Sequence, residues 1–233
     1  MSKKKVVFII VEGQSDETAL APFFKTLYDP NEVYVYVKKG DITSQKGITT
    51  TNIVNKVAFH IKDYAKKHKI QNTDFEKIVH IVDTDGTFIS GDKVKFDNCC
   101  PKPYYELECI KTAKVNDILL RNQNKKNIIL KLVSVNHIWQ IPYKVYYMSC
   151  NLDHVLYNKL NSTDEEKEND SLDFYDKYEN DYDGFVDFIC NSDFAVDMSY
   201  KDSWKFIEKD LNSLNRHTNI NLCFTSSDTT KKY

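Results

Sequence analysis

The sequence has no apolar stretch of about 18 residues, which excludes a bilayer-spanning helix of ordinary length. Its N-terminus, MSKKK ahead of only six strongly apolar residues, is too short for a secretory signal, so a cytoplasmic protein is expected. The six cysteines, Cys99, Cys100, Cys109, Cys150, Cys190 and Cys223, contain no CxxC. Cys99 or Cys100 with Cys109 would lack a second knuckle for zinc, so reduced thiols are expected. Arginine is confined to Arg121 and Arg216, which makes lysine the carrier of positive charge. A GxxxxGK(S/T) loop is also missing, which excludes a P-loop nucleotide hydrolase.

What is present is a chain of 233 residues, long enough to bury a real core as one large domain or as one domain with an appendage. The net charge of -2 hides an asymmetry: residues 1–150 carry 23 Lys or Arg against 16 Asp or Glu, and residues 151–233 carry 9 against 18. The basic part could attract a polyanion, although solvated lysine faces would look the same. The acidic part could dock a protein partner or screen the basic face.

An unbroken run, Val6 to Val11, reads as a strand buried on both faces, as in a parallel sheet. It stops at Glu12 and Gly13, and Ser15 or Asp16 is placed to cap a helix over Asp16 to Tyr28, with Pro22 expected in an early turn. Val33 to Val37 reads as a second strand, followed by a polar loop over Lys38 to Thr50. Thr51 to Lys69 has the three-to-four spacing of an amphipathic helix. Lys77 to Val82 is a third strand ending in Asp83, Thr84, Asp85 and Gly86. Alternating strand and helix predicts an α/β fold with a mainly parallel sheet and helices on its faces.

Residues 87–103 read as irregular, within an insertion of about 87–109. Helix returns within 110–133, in two pieces broken near Asn122 to Asn127. Lys144 to Met148 reads as a fourth core strand, followed by the polar segment Ser149 to His154. STDEEKEND, at 162–170, has little to bury and reads as a mobile acidic linker. Two helical stretches, 172–189 and 204–214, follow. The expected organisation is an α/β domain over 1–150 and an acidic, mainly helical C-terminal extension over 151–233 packing on it.

Two strands thus deliver acid to one sheet edge, Glu12 with Asp16 and Asp83 with Asp85. Open α/β sheets keep their chemistry at that edge, and converging carboxylates repel unless a cation lies among them. Oxygen ligands of this kind suit Mg²⁺ or Mn²⁺.

An apolar strand ending in VEG with Asp16 beyond it, then about seventy residues later a strand ending in DTD, resembles the TOPRIM family, in particular its free-standing nuclease-like branch of overcoming-lysogenization-defect and RloB-type proteins. The resemblance covers about 150 residues and implies a Rossmann-like sheet and Mg²⁺-dependent hydrolysis of RNA or DNA phosphodiesters. It implies Glu12, Asp83 and Asp85 as catalytic metal ligands with Asp16 assisting. It also implies a defence or toxin effector that works with a separately encoded ATPase. The chain leaves little room for a topoisomerase gate, and its cysteines do not make a primase zinc module. Lys38, Lys39, Lys46 and Lys144 are candidates for offsetting substrate charge, and Asp153 or His154 for completing the site.

The stretch IVHIVDTDGTF also resembles the first motif of haloacid-dehalogenase-like phosphatases, with Asp83 as nucleophile and Asp85 as acid/base. Such enzymes normally begin with this strand, whereas here a strand-helix-strand-helix unit precedes it. A third alternative is an inactive TOPRIM scaffold that binds nucleic acid or a protein.

Overall fold

A computed structural model describes residues 5–28 and 33–225. In chain order the first elements are β1 (Lys5–Val11), α1 (Gln14–Leu27), β2 (Val33–Lys39), α2 (Ile53–His68) and β3 (Phe75–Asp83). Three short strands follow, β4 (Val94–Phe96), β5 (Tyr104–Tyr105) and β6 (Ile110–Thr112), and then α3 (Val115–Val133), β7 (His137–Ile138) and β8 (Ile141–Met148). Helices complete the chain: α4 (Leu152–Tyr157), α5 (Asp164–Tyr178), α6 (Tyr182–Asn191), α7 (Tyr200–Ile207) and α8 (Asn221–Thr225).

The central sheet has the order β2-β1-β3-β8-β7, parallel except for β7. Successive residues of a strand face opposite sides, and β1 uses both. Val7, Ile9 and Val11 pack with α1, α5, α6 and α8, while Val6, Phe8 and Ile10 pack with α2, α3 and α7. Helices on both faces account for the lack of polar alternation in β1. Asp83 at the end of β3 pairs with Met148 at the end of β8, so the polar segments after both strands open on one edge. Among the described residues no helix is long and apolar enough to cross a membrane. None of the six cysteines forms a disulfide.

Several expectations are corrected. Pro22 lies well inside α1. Burial of Ala19, Leu20, Phe23 and Phe24 on that helix outweighs the one amide bond that proline cannot make. Lys38 and Lys39 belong to β2, because that strand stays paired with β1 as far as Val11. Part of 87–103 is ordered in a small sheet, β4-β6-β5, over its own cluster of Ile89, Val94, Ile110, Ile118 and Leu214. The helix α3 is continuous through Asn122 to Asn127, with Asn122 and Lys125 buried on its inner side.

The segment expected as a mobile linker is the start of α5. Thr163 Oγ1 accepts from the Glu166 amide at 3.2 Å, and Glu166 Oε2 accepts from the Thr163 amide at 2.7 Å, a reciprocal cap. The helix is then held on α1, where Phe174 and Tyr178 pack edge-on to Phe23. The acidic C-terminal part is tied into the sheet itself: Asn219 Oδ1 accepts from the Tyr147 amide at 2.8 Å, and Thr218 Oγ1 donates to the Tyr147 carbonyl at 2.6 Å.

Candidate active site

The site grows from the turns after β1, β3 and β8. Asp16, in the first turn of α1, accepts from the amides of Glu12 at 3.1 Å and Gly13 at 2.9 Å. From the third position of the helix it reaches back to these amides, as the second half of a capping box does, and so fixes the backbone that carries Glu12. Ser15 makes no such cap, since Gly13 is the cap residue.

Glu12 has a side chain 12% exposed. Its Oε1 accepts from the Asp83 amide at 3.0 Å and lies 3.4 Å from Thr43 Oγ1 and 3.5 Å from Lys125 Nζ. Asp83 ends β3, and no donor among the described residues reaches its carboxylate. Asp85 adopts the left-handed conformation at φ 49°, and Gly86 follows at φ 64°. A side chain on Gly86 would meet Leu214 Cδ2 at 2.5 Å, so both the conformation and the space call for glycine. The turn is anchored by the Asp85 amide on the Cys150 carbonyl at 2.8 Å and by Thr84 Oγ1 on the Ser213 carbonyl at 2.8 Å.

Lys125 reaches this turn from α3. Its side chain is 1% exposed, and Nζ lies 2.5 Å from Asp85 Oδ2. One turn earlier, Arg121 donates to the Asp85 carbonyl at 2.9 Å and to the Tyr105 hydroxyl at 2.8 Å. That hydroxyl in turn lies 3.5 Å from Asp85 Oδ1.

Burial raises the pKa of Glu12 well above the carboxylate range; Lys125 opposes this, and Asp41, Asp85 and Asp16 add to it. Asp83 is raised in the same direction by burial and by the charges of Glu12, Asp16 and Asp85. Burial works against the charge on Lys125, yet Asp85, Glu12, Asp41 and Asp83 together hold its pKa well above the usual value. Asp41 stays below its ordinary range despite burial, because Lys125 and hydrogen bonds from Ser44 and Thr43 favour its charged form. The edge is thus a cluster of acids that oppose ionising together, set around Lys125, a fully buried cation.

These donors fit Mg²⁺ or Mn²⁺ by chemistry: they are hard oxygens, partly buried at the sheet edge, and among the described residues no hydrogen-bond donor reaches the Asp83 carboxylate to stabilise its charge. Among the described residues, however, no group of three or more His, Cys, Asp or Glu side chains is arranged around a common point, and Lys125 stands between Glu12 and Asp85.

The other candidates scatter. Asp153 is 3% exposed and pairs with Lys167 at 3.4 Å, and its charge acts on Asp16 from beside the site. His154 is buried near Arg216 and His217, which together with burial lower its pKa to about 4. Lys38 acts on His60 of α2. Lys46 is exposed in the loop after β2. The Lys39 side chain lies outside the described residues. Lys144 sits in mid-strand with its ammonium 5.8 Å from the Tyr200 ring centroid, well back from the edge.

Asp41, Arg121, Lys125 and Lys167 join the site through tertiary packing, beyond the residues expected from sequence. A signal for Lys125 exists: Ile118, Asn122, Lys125, Ile129 and Leu132 follow helical spacing, which puts polar groups within a buried stripe. No family model, curated protein or solved structure matches the chain.

Proposed function

We propose that this protein is a divalent-metal-dependent nuclease of TOPRIM type, hydrolysing phosphodiesters of RNA or DNA at the carboxylate edge of its sheet. The observation that carries this is the hydrogen bond from the Asp83 amide to Glu12 Oε1 at 3.0 Å, which joins the acidic ends of two neighbouring parallel strands. Lys125 alone leaves Glu12 and Asp83 with raised pKa values, and a further cation at this edge would favour their charged forms.

Glu12, Asp83 and Asp85, with Asp16 assisting, are the residues that would hold Mg²⁺ or Mn²⁺. Such an ion supplies activation of water and neutralisation of phosphate charge. Asp16 keeps the Glu12 backbone in place through two amide hydrogen bonds. Lys125, close to Glu12 and Asp85, limits the repulsion between the acids. With no P-loop in the sequence, nucleotide-driven gating would come from a second chain, an ATPase, as in the effector systems this branch suggests.

A phosphatase using Asp83 as nucleophile and Asp85 as acid/base would give Glu12, which accepts from the Asp83 amide, no part in the chemistry. The deciding experiment incubates purified protein with RNA and DNA in the presence of Mg²⁺ or Mn²⁺, with and without an ATPase partner. Glu12→Gln should abolish cleavage while leaving the thermal midpoint in chelator no lower. A phospho-aspartate trapped on Asp83, with activity intact in Glu12→Gln, would establish the phosphatase instead.

A further inference from the structure

Between the small sheet and α5 lies a cavity of about 440 Å³, within the range of sites that enclose a small ligand group. Its walls include Lys102, Tyr104, Tyr105, Ser162 and Lys167. Two of these residues connect it to the carboxylates. Tyr105 reaches Asp85 Oδ1 through its hydroxyl at 3.5 Å, steadied by Arg121. Lys167 pairs with Asp153, and although burial works against it, the charges of Asp153, Asp83 and Asp16 hold its pKa above the usual value. The remaining lining has features of a nucleobase site. Tyr104 offers a ring that is 48% exposed, and Ser162 Oγ has no hydrogen-bond partner among the described residues.

On the other side of Lys167 a second cavity, of about 600 Å³, is lined by Asp164 and Glu168. Those charges repel a polyanion. Only the Tyr104 side combines lysines, aromatic rings and access to Asp85.

We propose that this cavity receives one unpaired base of a single-stranded nucleic acid, with Lys167 on the adjoining phosphate, so that the strand passes from Tyr104 across the carboxylate edge. The proposal rests on the phosphodiester-hydrolase reading above and names its substrate class. An unpaired base offers a free π-face to tyrosine and a free polar edge to Ser162, whereas a base within a duplex offers neither.

The test is fluorescence anisotropy with the full chain in chelator, using labelled oligo(dT), oligo(U) and a blunt duplex, each of about 12 nucleotides. Single strands should bind about tenfold or more tighter than duplex. Tyr104→Ala should lose about tenfold, the scale of one base–aromatic stack, while Tyr104→Phe stays within about twofold of wild type. Lys167→Gln should flatten the slope of log affinity against log salt by about one. Equal binding of duplex, no binding of any probe, or an unaffected Tyr104→Ala would overturn the proposal. Because binding is read in chelator, its outcome is separate from cleavage. The pattern without metal-dependent cutting would retire the nuclease and keep the base pocket, and cutting that is indifferent to Tyr104→Ala would do the reverse.

Discussion

Lys125 Nζ lies 2.5 Å from Asp85 Oδ2 at the end of a side chain that is 1% exposed. A lysine so deeply placed stays charged only because acid surrounds it, and the acids tolerate one another partly because it is there. Removing it should therefore cost more than a surface pair would. Lys125→Met is expected to lower the unfolding free energy by about 3–5 kcal/mol, and the double variant with Glu12→Gln should recover part of that loss. Urea denaturation measures both; a loss below about 1 kcal/mol would place the pair in the class of weak surface bridges.

Glu12 and Asp83 hold their protons more tightly in the folded chain than in the unfolded one, chiefly through burial. Above the ordinary carboxylate range the native state then binds more protons than the unfolded state, so their contribution to stability falls as pH rises through that window. In chelator the wild type should lose stability as pH rises above the ordinary carboxylate range, and Glu12→Gln should lose less. A difference that stays flat across this range would contradict the raised values.

A divalent ion should reverse that penalty. Mg²⁺ or Mn²⁺ at about a hundred times its dissociation constant would add about 2.7 kcal/mol, seen as a higher thermal midpoint in wild type. The gain should grow with pH, because binding displaces protons from the acids. Asp83→Asn should remove it, and equal gains in both proteins would place the ion elsewhere.

Thr163→Ala probes the start of α5. Losing the reciprocal cap with Glu166 should cost about 1 kcal/mol, read as a lower urea midpoint. A mobile linker would tolerate the change without loss. Deleting 161–170 should likewise harm folding itself, since the segment leads into Ser171, Phe174 and Tyr178, all buried.

At α5, local composition and tertiary packing point in opposite directions. STDEEKEND has almost nothing apolar, but its first residues cap a helix whose later turns, Phe174 and Tyr178, pay for the ordering. The break expected in α3 has a related origin. Asn and Lys are indifferent or weak signals in isolation, and here Asn122 and Lys125 face a polar site across the helix. Pro22 was misplaced because the packing of Phe23 and Phe24 outweighs one missing amide.

The run Val6 to Val11 determined by itself that β1 is buried on both faces, since only a strand covered by helices needs no polar alternation. The order of strands and helices determined the parallel sheet, and the acids closing β1 and β3 determined which edge is charged. What only tertiary structure decided is how that charge is met. Lys125 is separated from Glu12 by 113 positions and from Asp85 by 40, and Lys167 arrives on a helix that composition had assigned to a linker. Spacing reveals which residues share a helix face or end a strand; it does not reveal which face docks on which strand end. That choice belongs to the packing of α3 and α5 around the sheet, and it is what sets a buried lysine among the carboxylates.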